Sequence, residues 1–148
     1  MKPERARLIL SVLLLAGAGV AHAIDYVSVA NATAVLYDAP SLKAKKSFVA
    51  SRYLPLEQVV VLEGWVKVRD SSGSMSWIEK RDLSNKRYVA VTAELAALRQ
   101  TPEDSAAVLA QAKQQVALEW LENTGGWIKV RHADGVTGYV RASEVWGD

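Results

Sequence analysis

Gly64-Trp65-Val66-Lys67-Val68-Arg69 and Gly126-Trp127-Ile128-Lys129-Val130-Arg131 are nearly the same six residues written twice, 62 positions apart. In both, aliphatic residues alternate with Trp, Lys and Arg. That is the period of a β-strand with one face turned to a core. The alternation predicts Val66, Val68, Ile128 and Val130 inside, and Trp65, Lys67, Arg69 with Trp127, Lys129, Arg131 outside. The offset of 62 extends in both directions without a gap. Tyr26 matches Tyr88, Leu36 matches Leu98, and Pro40 matches Pro102. Leu56-Glu57 matches Leu118-Glu119, Gly73 matches Gly135, and Trp77-Ile78 matches Tyr139-Val140. Two copies at this period mean tandem domains, since a solenoid needs three or more repeats.

Each copy reads as short strands separated by turns. Tyr26 to Ala30 and Tyr88 to Thr92 alternate, Val59 to Leu62 is a β-branched run, and Trp127 to Arg131 is a further strand. Ala133-Asp134-Gly135-Val136 carries the Asp-Gly pair of a type I′ hairpin turn, with Ser72-Gly73 at the same place in the first copy. Tyr139-Val140 is the returning strand, and Glu144-Val145-Trp146 closes the copy. Ser105 to Lys113 and its first-copy counterpart are expected as loops. About five strands in about 60 residues per copy, without cysteine, describe an all-β chain of two small closed barrels. Leu36, Val68 and Ile78 belong to one core, and Leu98, Val130 and Val140 to the other. The linker Ser84-Asn85-Lys86-Arg87 reaches at most ~14 Å, so the barrels must pack together.

The N-terminus reads differently. Lys2, Arg5 and Arg7 precede an apolar run from Leu8 to Ala21, followed by the small-x-small triplet Ala21-His22-Ala23. This is the order of a secretory signal peptide. The run is shorter than the ~20 residues that span a bilayer, so cleavage after Ala23 and no stable membrane insertion thereafter are expected. The expected organisation is a signal helix at 1–23, barrel 1 at 24–86 and barrel 2 at 87–148, with the mature chain in the periplasm. The formal charge of +2 resides in the signal segment, and residues 24–148 hold 15 basic and 15 acidic side chains. A neutral mature chain loses the composition argument for nucleic-acid binding. Residues 24–87 carry 10 basic and 7 acidic side chains, and residues 88–148 carry 5 and 8. The copies are therefore oppositely charged, which suits either mutual attraction or an anionic partner for the first.

Catalytic chemistry finds little material. The chain has no cysteine, which excludes disulfides, thiol catalysis and cysteine metal sites. After Ala23 only His132 remains as histidine, at the edge of the predicted hairpin. No spacing pairs two carboxylates as glycan hydrolysis requires. No enzyme activity, cofactor or metal is expected.

The motifs together resemble bacterial SH3-like (SH3b) domains: Leu-x-x-x-Pro early in each copy, Gly-Trp-aliphatic-Lys-Val-Arg in the middle, then a Gly-turn hairpin and a Trp-Ile or Tyr-Val strand. The resemblance covers Tyr26 to Trp146 and implies two tandem SH3-like barrels. It implies a binding module whose partners are an envelope protein, a peptide or peptidoglycan. In the related eukaryotic SH3 barrels, proline-rich ligands lie on a row of aromatics. By that resemblance the ligand-binding residues are Tyr37, Trp65 and Trp77, with Lys67 at the rim. Several positions depart from the pattern: Ala39 and Thr101 replace its second tyrosine, and Glu79 and Arg141 its proline. Asp82 and Glu144 replace its late tyrosine, and Lys43, Lys45 and Lys46 stand where acidic residues hold a ligand arginine. A proline-rich ligand is therefore not expected. Arg99 replaces Tyr37 in the second copy, which makes the first copy the binding candidate. The alternative is that the tryptophans cap the barrel ends and the cations are simply solvated. The protein would then be a scaffold without a groove. A small cell-wall hydrolase is the third and weakest reading.

Overall fold

A computed structural model describes residues 23–148. The expected signal helix lies outside the described residues. The first copy contains β1 (Asp25–Val29), β2 (Thr33–Tyr37), β3 (Lys46–Ser51), β4 (Pro55–Val61), β5 (Trp65–Arg69), β6 (Met75–Glu79) and β7 (Leu83–Ser84). The second repeats them as β8 (Tyr88–Val91), β9 (Leu95–Arg99), β10 (Val108–Lys113), β11 (Ala117–Asn123), β12 (Trp127–Arg131), β13 (Thr137–Arg141) and β14 (Val145–Trp146). A single 3-10 turn precedes the last strand of each copy, Lys80–Asp82 and Ala142–Glu144.

Both sheets are antiparallel and share one order, β3-β2-β6-β5-β4-β1-β7 and β10-β9-β13-β12-β11-β8-β14. In the first copy Val27, Val29, Leu36, Leu56, Val66, Val68 and Ile78 meet in one cluster. Those residues come from five strands, so the sheet must roll for their inner faces to converge. The second copy gathers Val89, Leu98, Leu118, Ile128, Val130 and Val140 in a cluster of its own. The alternation in the repeated hexapeptide thus points the aliphatic residues inward as expected. The two cores are separate, one per barrel.

Three details differ from the sequence reading. Each copy has seven strands instead of five, and the roll has two ends, β3 and β7, that do not pair with one another. Segments 46–51 and 108–113 are strands and not loops. They are edge strands that bury one alanine each, Ala50 and Ala112, so no apolar alternation marks them. The hairpin turns are not type I′. The Gly135 N–H donates to the His132 carbonyl at 2.9 Å, and the His132 N–H donates to the Val136 carbonyl at 2.8 Å. Asp134 keeps a negative φ while Gly135 takes +95°. This is a type I turn followed by a left-handed glycine, the three-residue hairpin loop. Gly73, at +86°, does the same with Asp70 and Ser74. The Val136 N–H and the His132 ring hold the Asp134 carboxyl below the usual carboxylate range.

The barrels meet along a seam built from aromatics and Arg87. Tyr26 packs edge-on against Trp146, with centroids 5.2 Å apart. Tyr53 and Tyr88 stack at 4.5 Å and 19°. The Arg87 guanidinium lies 5.5 Å from the Tyr26 centroid and 4.6 Å from that of Trp120. It also donates to the Gly147 carbonyl at 2.8 Å. Beside Trp120, β11 carries a bulge between Trp120 and Glu122, at the same place as the bulge between Gln58 and Val60 in β4. The four-residue linker therefore does more than connect, since its last residue is the centre of the interface.

Candidate functional site

The candidate site follows from strand register. Tyr37 on β2 stands opposite Trp77 on β6, and Trp77 stands opposite Lys67 on β5. Residues directly opposite one another share a face. Tyr37, Trp77 and Lys67 thus form a row across three strands, and Trp65 lies two residues from Lys67 on the same face. All four residues singled out in the sequence come together. Tyr37 meets Trp65 edge to face at 5.5 Å and 84°. The Lys67 ammonium sits 5.9 Å from the Trp77 centroid. Trp65, Trp77 and Lys67 are half-buried, whereas Tyr37 is only 7% exposed. Tyr37 supports Trp65 from beneath instead of presenting a surface of its own.

The second copy builds the same row with different chemistry. Arg99 stands opposite Tyr139, and Tyr139 stands opposite Lys129. Arg99 turns to the backbone and donates to the Ala106 carbonyl at 2.9 Å. Arg141, opposite Trp127, places its guanidinium 5.1 Å from the Trp127 centroid and pairs with Asp104. In the first copy the residue opposite Trp65 is Glu79, drawn aside by Arg81 at 2.8 Å. Trp127 therefore carries a pinned cation on its ring, and Trp65 has a carboxylate as its cross-strand neighbour. The Glu79 contact raises the Arg81 pKa further above its ordinary value.

Other predicted participants fall away from the row or lie beside it. Lys43 and Lys45 are exposed on the β2–β3 connection and Lys46 at the start of β3, and Asp38 accepts from the Lys45 N–H at 3.1 Å. His132 sits in its hairpin turn with Nδ1 2.9 Å from Asp134. Among the described residues no three His, Asp or Glu side chains converge to hold a metal ion, and no helix is long and apolar enough to cross a membrane.

Three clefts of the molecule lie away from the aromatic row. Two line the seam between the barrels, with volumes of about 330 and 250 Å³. The third, about 370 Å³, lies beside Ile24, Val59 and Val61. The seam residues were missed in the sequence, yet a signal was present. Tyr53, Trp120 and Trp146 are aromatics whose partners at the 62-residue offset are Gln115, Gln58 and Ser84. A contact between two copies in tandem uses a different surface of each. Residues that break the repeat are where such a contact shows.

Comparison with known proteins gives one family and several distant folds. The family described as bacterial SH3 domain matches twice, at residues 30–85 and 92–147. No curated protein matches the sequence. Among solved structures, NlpC1 from Trichomonas vaginalis is 13% identical, with a TM-score of 0.41, over 95% of this chain and 51% of that one. NlpC2 from the same organism is 13% identical, with a TM-score of 0.39, over 85% of this chain and 49% of that one. An NlpC/P60 family protein from Bacillus cereus ATCC 10987 is 16% identical, with a TM-score of 0.39, over 81% and 55%. The chain spans about half the length of these structures.

Proposed function

The chain belongs to the bacterial SH3 domain family and carries the domain twice, and from that premise we propose that it is an exported, non-catalytic binding module of the cell envelope, docking a wall component through its first barrel. Bacterial SH3 domains are binding modules. The observation that carries the assignment to barrel 1 is the asymmetry of the two aromatic rows. Trp127 is covered by Arg141, which Asp104 pins in place. Trp65 has Glu79 opposite instead, and Glu79 is held by Arg81. A half-buried tryptophan backed by Tyr37, next to Trp77 and Lys67, offers an aromatic surface with a cation at its edge. That combination suits a ligand with an apolar face and a polar or anionic flank. Periplasmic localisation after cleavage behind Ala23 belongs to the same proposal, as the N-terminal residue pattern supports it.

A second reading, a scaffold without a ligand surface, draws on the burial of Tyr37 and the edge-to-face Tyr37–Trp65 pair. These suit a cap on the end of the barrel. Cosedimentation of the mature chain with purified peptidoglycan sacculi separates the two. Retention that persists at about 1 M salt, where charges are screened beyond ~3 Å, supports a wall ligand held by aromatic contact. Absence from the pellet at low and high salt alike contradicts the wall assignment and favours the scaffold.

A further inference from the structure

The two seam clefts share Tyr53, Lys86 and Tyr88, so they form one trough along the junction of the barrels. Arg52 lies at one end of the trough, and Arg131 with His132 at the other. The walls carry three permanent cations, Arg52, Lys86 and Arg131, against one carboxylate, Glu119. Glu119 is shared between Lys86 at 3.3 Å and Arg131 at 3.5 Å. The trough therefore keeps an excess of positive charge in a chain that is neutral after residue 23. Arg52 is exposed, and its Nε donates to the Ala30 carbonyl at 2.9 Å. That bond orients the guanidinium and leaves its terminal nitrogens as donors. Tyr53 is held in the left-handed region at φ 72° by the bond from its N–H to the Val29 carbonyl, and it presents a 40% exposed side chain.

We propose that this seam is a second binding site, distinct from the Trp65 row, and that it takes an acidic peptide. The cations select carboxylates, because a guanidinium fork and an ammonium give shorter and stronger bonds to an ionised oxygen than to a neutral one. The aromatics argue for a peptide over a sugar. Tyr53 and Tyr88 stack on one another, and Arg52 and Lys86 lie 5.7 and 5.6 Å from their centroids. The ring faces are engaged, Tyr88 is buried, and what remains for a ligand is the edge and hydroxyl of Tyr53. Charges spread along a trough match carboxylates spaced along an extended chain. The site exists only because the barrels are docked, which gives the tandem a purpose that neither barrel has alone.

The test uses the mature chain and two synthetic peptides, Glu-Gly-Glu-Gly-Glu and Gln-Gly-Gln-Gly-Gln, followed by amide NMR. The glutamate peptide should shift resonances of residues 52–53, 86–88 and 131–132, while the glutamine peptide and sodium sulfate leave them in place. Arg52→Gln should weaken binding about tenfold, the loss of one charge-assisted contact. The fold already accommodates glutamine there, because Gln114, its counterpart, donates from Nε2 to the Thr92 carbonyl at 2.9 Å. Lys113→Gln, which removes an exposed charge on β10, should leave the affinity unchanged. Equal response to the glutamine peptide or to sulfate overturns the proposal. So do shifts confined to the Lys43–Lys46 connection, or an Arg52→Gln protein that binds as before. The Trp65 and Trp77 indole signals should not respond to the peptide. Loss of sacculus binding and loss of the seam site are thus read out separately.

Discussion

Replacing Arg87 by alanine should uncouple the barrels. Its guanidinium lies between Tyr26 and Trp120 and donates to the Gly147 carbonyl at 2.8 Å. Each cation–aromatic contact of a partly desolvated arginine contributes about 1 kcal/mol. A hydrogen bond from a charged donor contributes about 1.5–3 kcal/mol. Against these, Arg87 Nε is buried without a partner, which costs about 1–3 kcal/mol. The balance is a net stabilisation of about 2 kcal/mol, centred on the seam and not on either core. Thermal unfolding followed by calorimetry should show the midpoint falling by about 5–10 °C. The single transition should broaden or split as each barrel unfolds without support from the other. Limited proteolysis should begin to cut at Lys86-Arg87 and around Tyr53. Arg87→Lys should behave nearly as badly, because an ammonium cannot keep the planar fork between two rings and a carbonyl. An Arg87→Ala protein with an unchanged midpoint and a protease-resistant linker would refute this account of the seam.

Three further outcomes rest on the same geometry. Val68 is 1% exposed in the barrel 1 core, and Val68→Ala should cost about 1–3 kcal/mol in urea unfolding; an unmoved midpoint means the strand faces the other way. A Cβ at Gly138 would be tight, 3.0 Å from the Arg99 carbonyl and 3.2 Å from Leu98 Cβ, so Gly138→Ala should push β9 and β13 slightly apart at about 1–3 kcal/mol. Stability equal to wild type would show that the strands shift freely. Burial first, and the Glu57 carboxylate second, raise the Tyr26 pKa; a bond with the Tyr88 hydroxyl, then Glu119, raises that of Lys86. Raised values mean that the protonated forms are favoured in the fold. Their contribution is complete below about pH 10 and is lost as pH climbs through the folded values. The urea midpoint should be level up to about pH 10 and fall above it, with Tyr26→Phe flattening part of the decline; a midpoint that rises there contradicts the assignment.

Strands that bury a full face were legible in the sequence, and those that do not were hidden. Val66, Val68, Ile128 and Val130 occupy the core because alternation leaves no other use for them. The edge strands β3 and β10 bury only Ala50 and Ala112, and β3 leaves Phe48 and Val49 exposed. No periodicity could announce them. The turn type was misread because Asp-Gly serves both a two-residue and a three-residue loop, and only backbone geometry distinguishes them. At the candidate site, the family resemblance grouped Tyr37, Trp65, Lys67 and Trp77, and strand register places them side by side. It did not reveal that Tyr37 lies beneath Trp65, nor that Arg141 covers Trp127. Both depend on side-chain packing across strands whose register the sequence leaves open. The seam was legible only in hindsight, through the aromatics that break the repeat.

If barrel 1, and not barrel 2, presents the ligand surface, Trp65→Ala and Trp127→Ala should differ in sacculus cosedimentation, with folding checked at the assay temperature. Both changes remove a half-buried tryptophan from the same place in the fold, so their stability losses should be similar and modest. Truncating an aromatic in a ligand contact typically costs about 2 kcal/mol, roughly 30-fold in affinity. That loss is expected for Trp65→Ala alone, with Trp127→Ala retained on sacculi like the unaltered chain. Equal retention of both variants, or loss confined to Trp127→Ala, would contradict it.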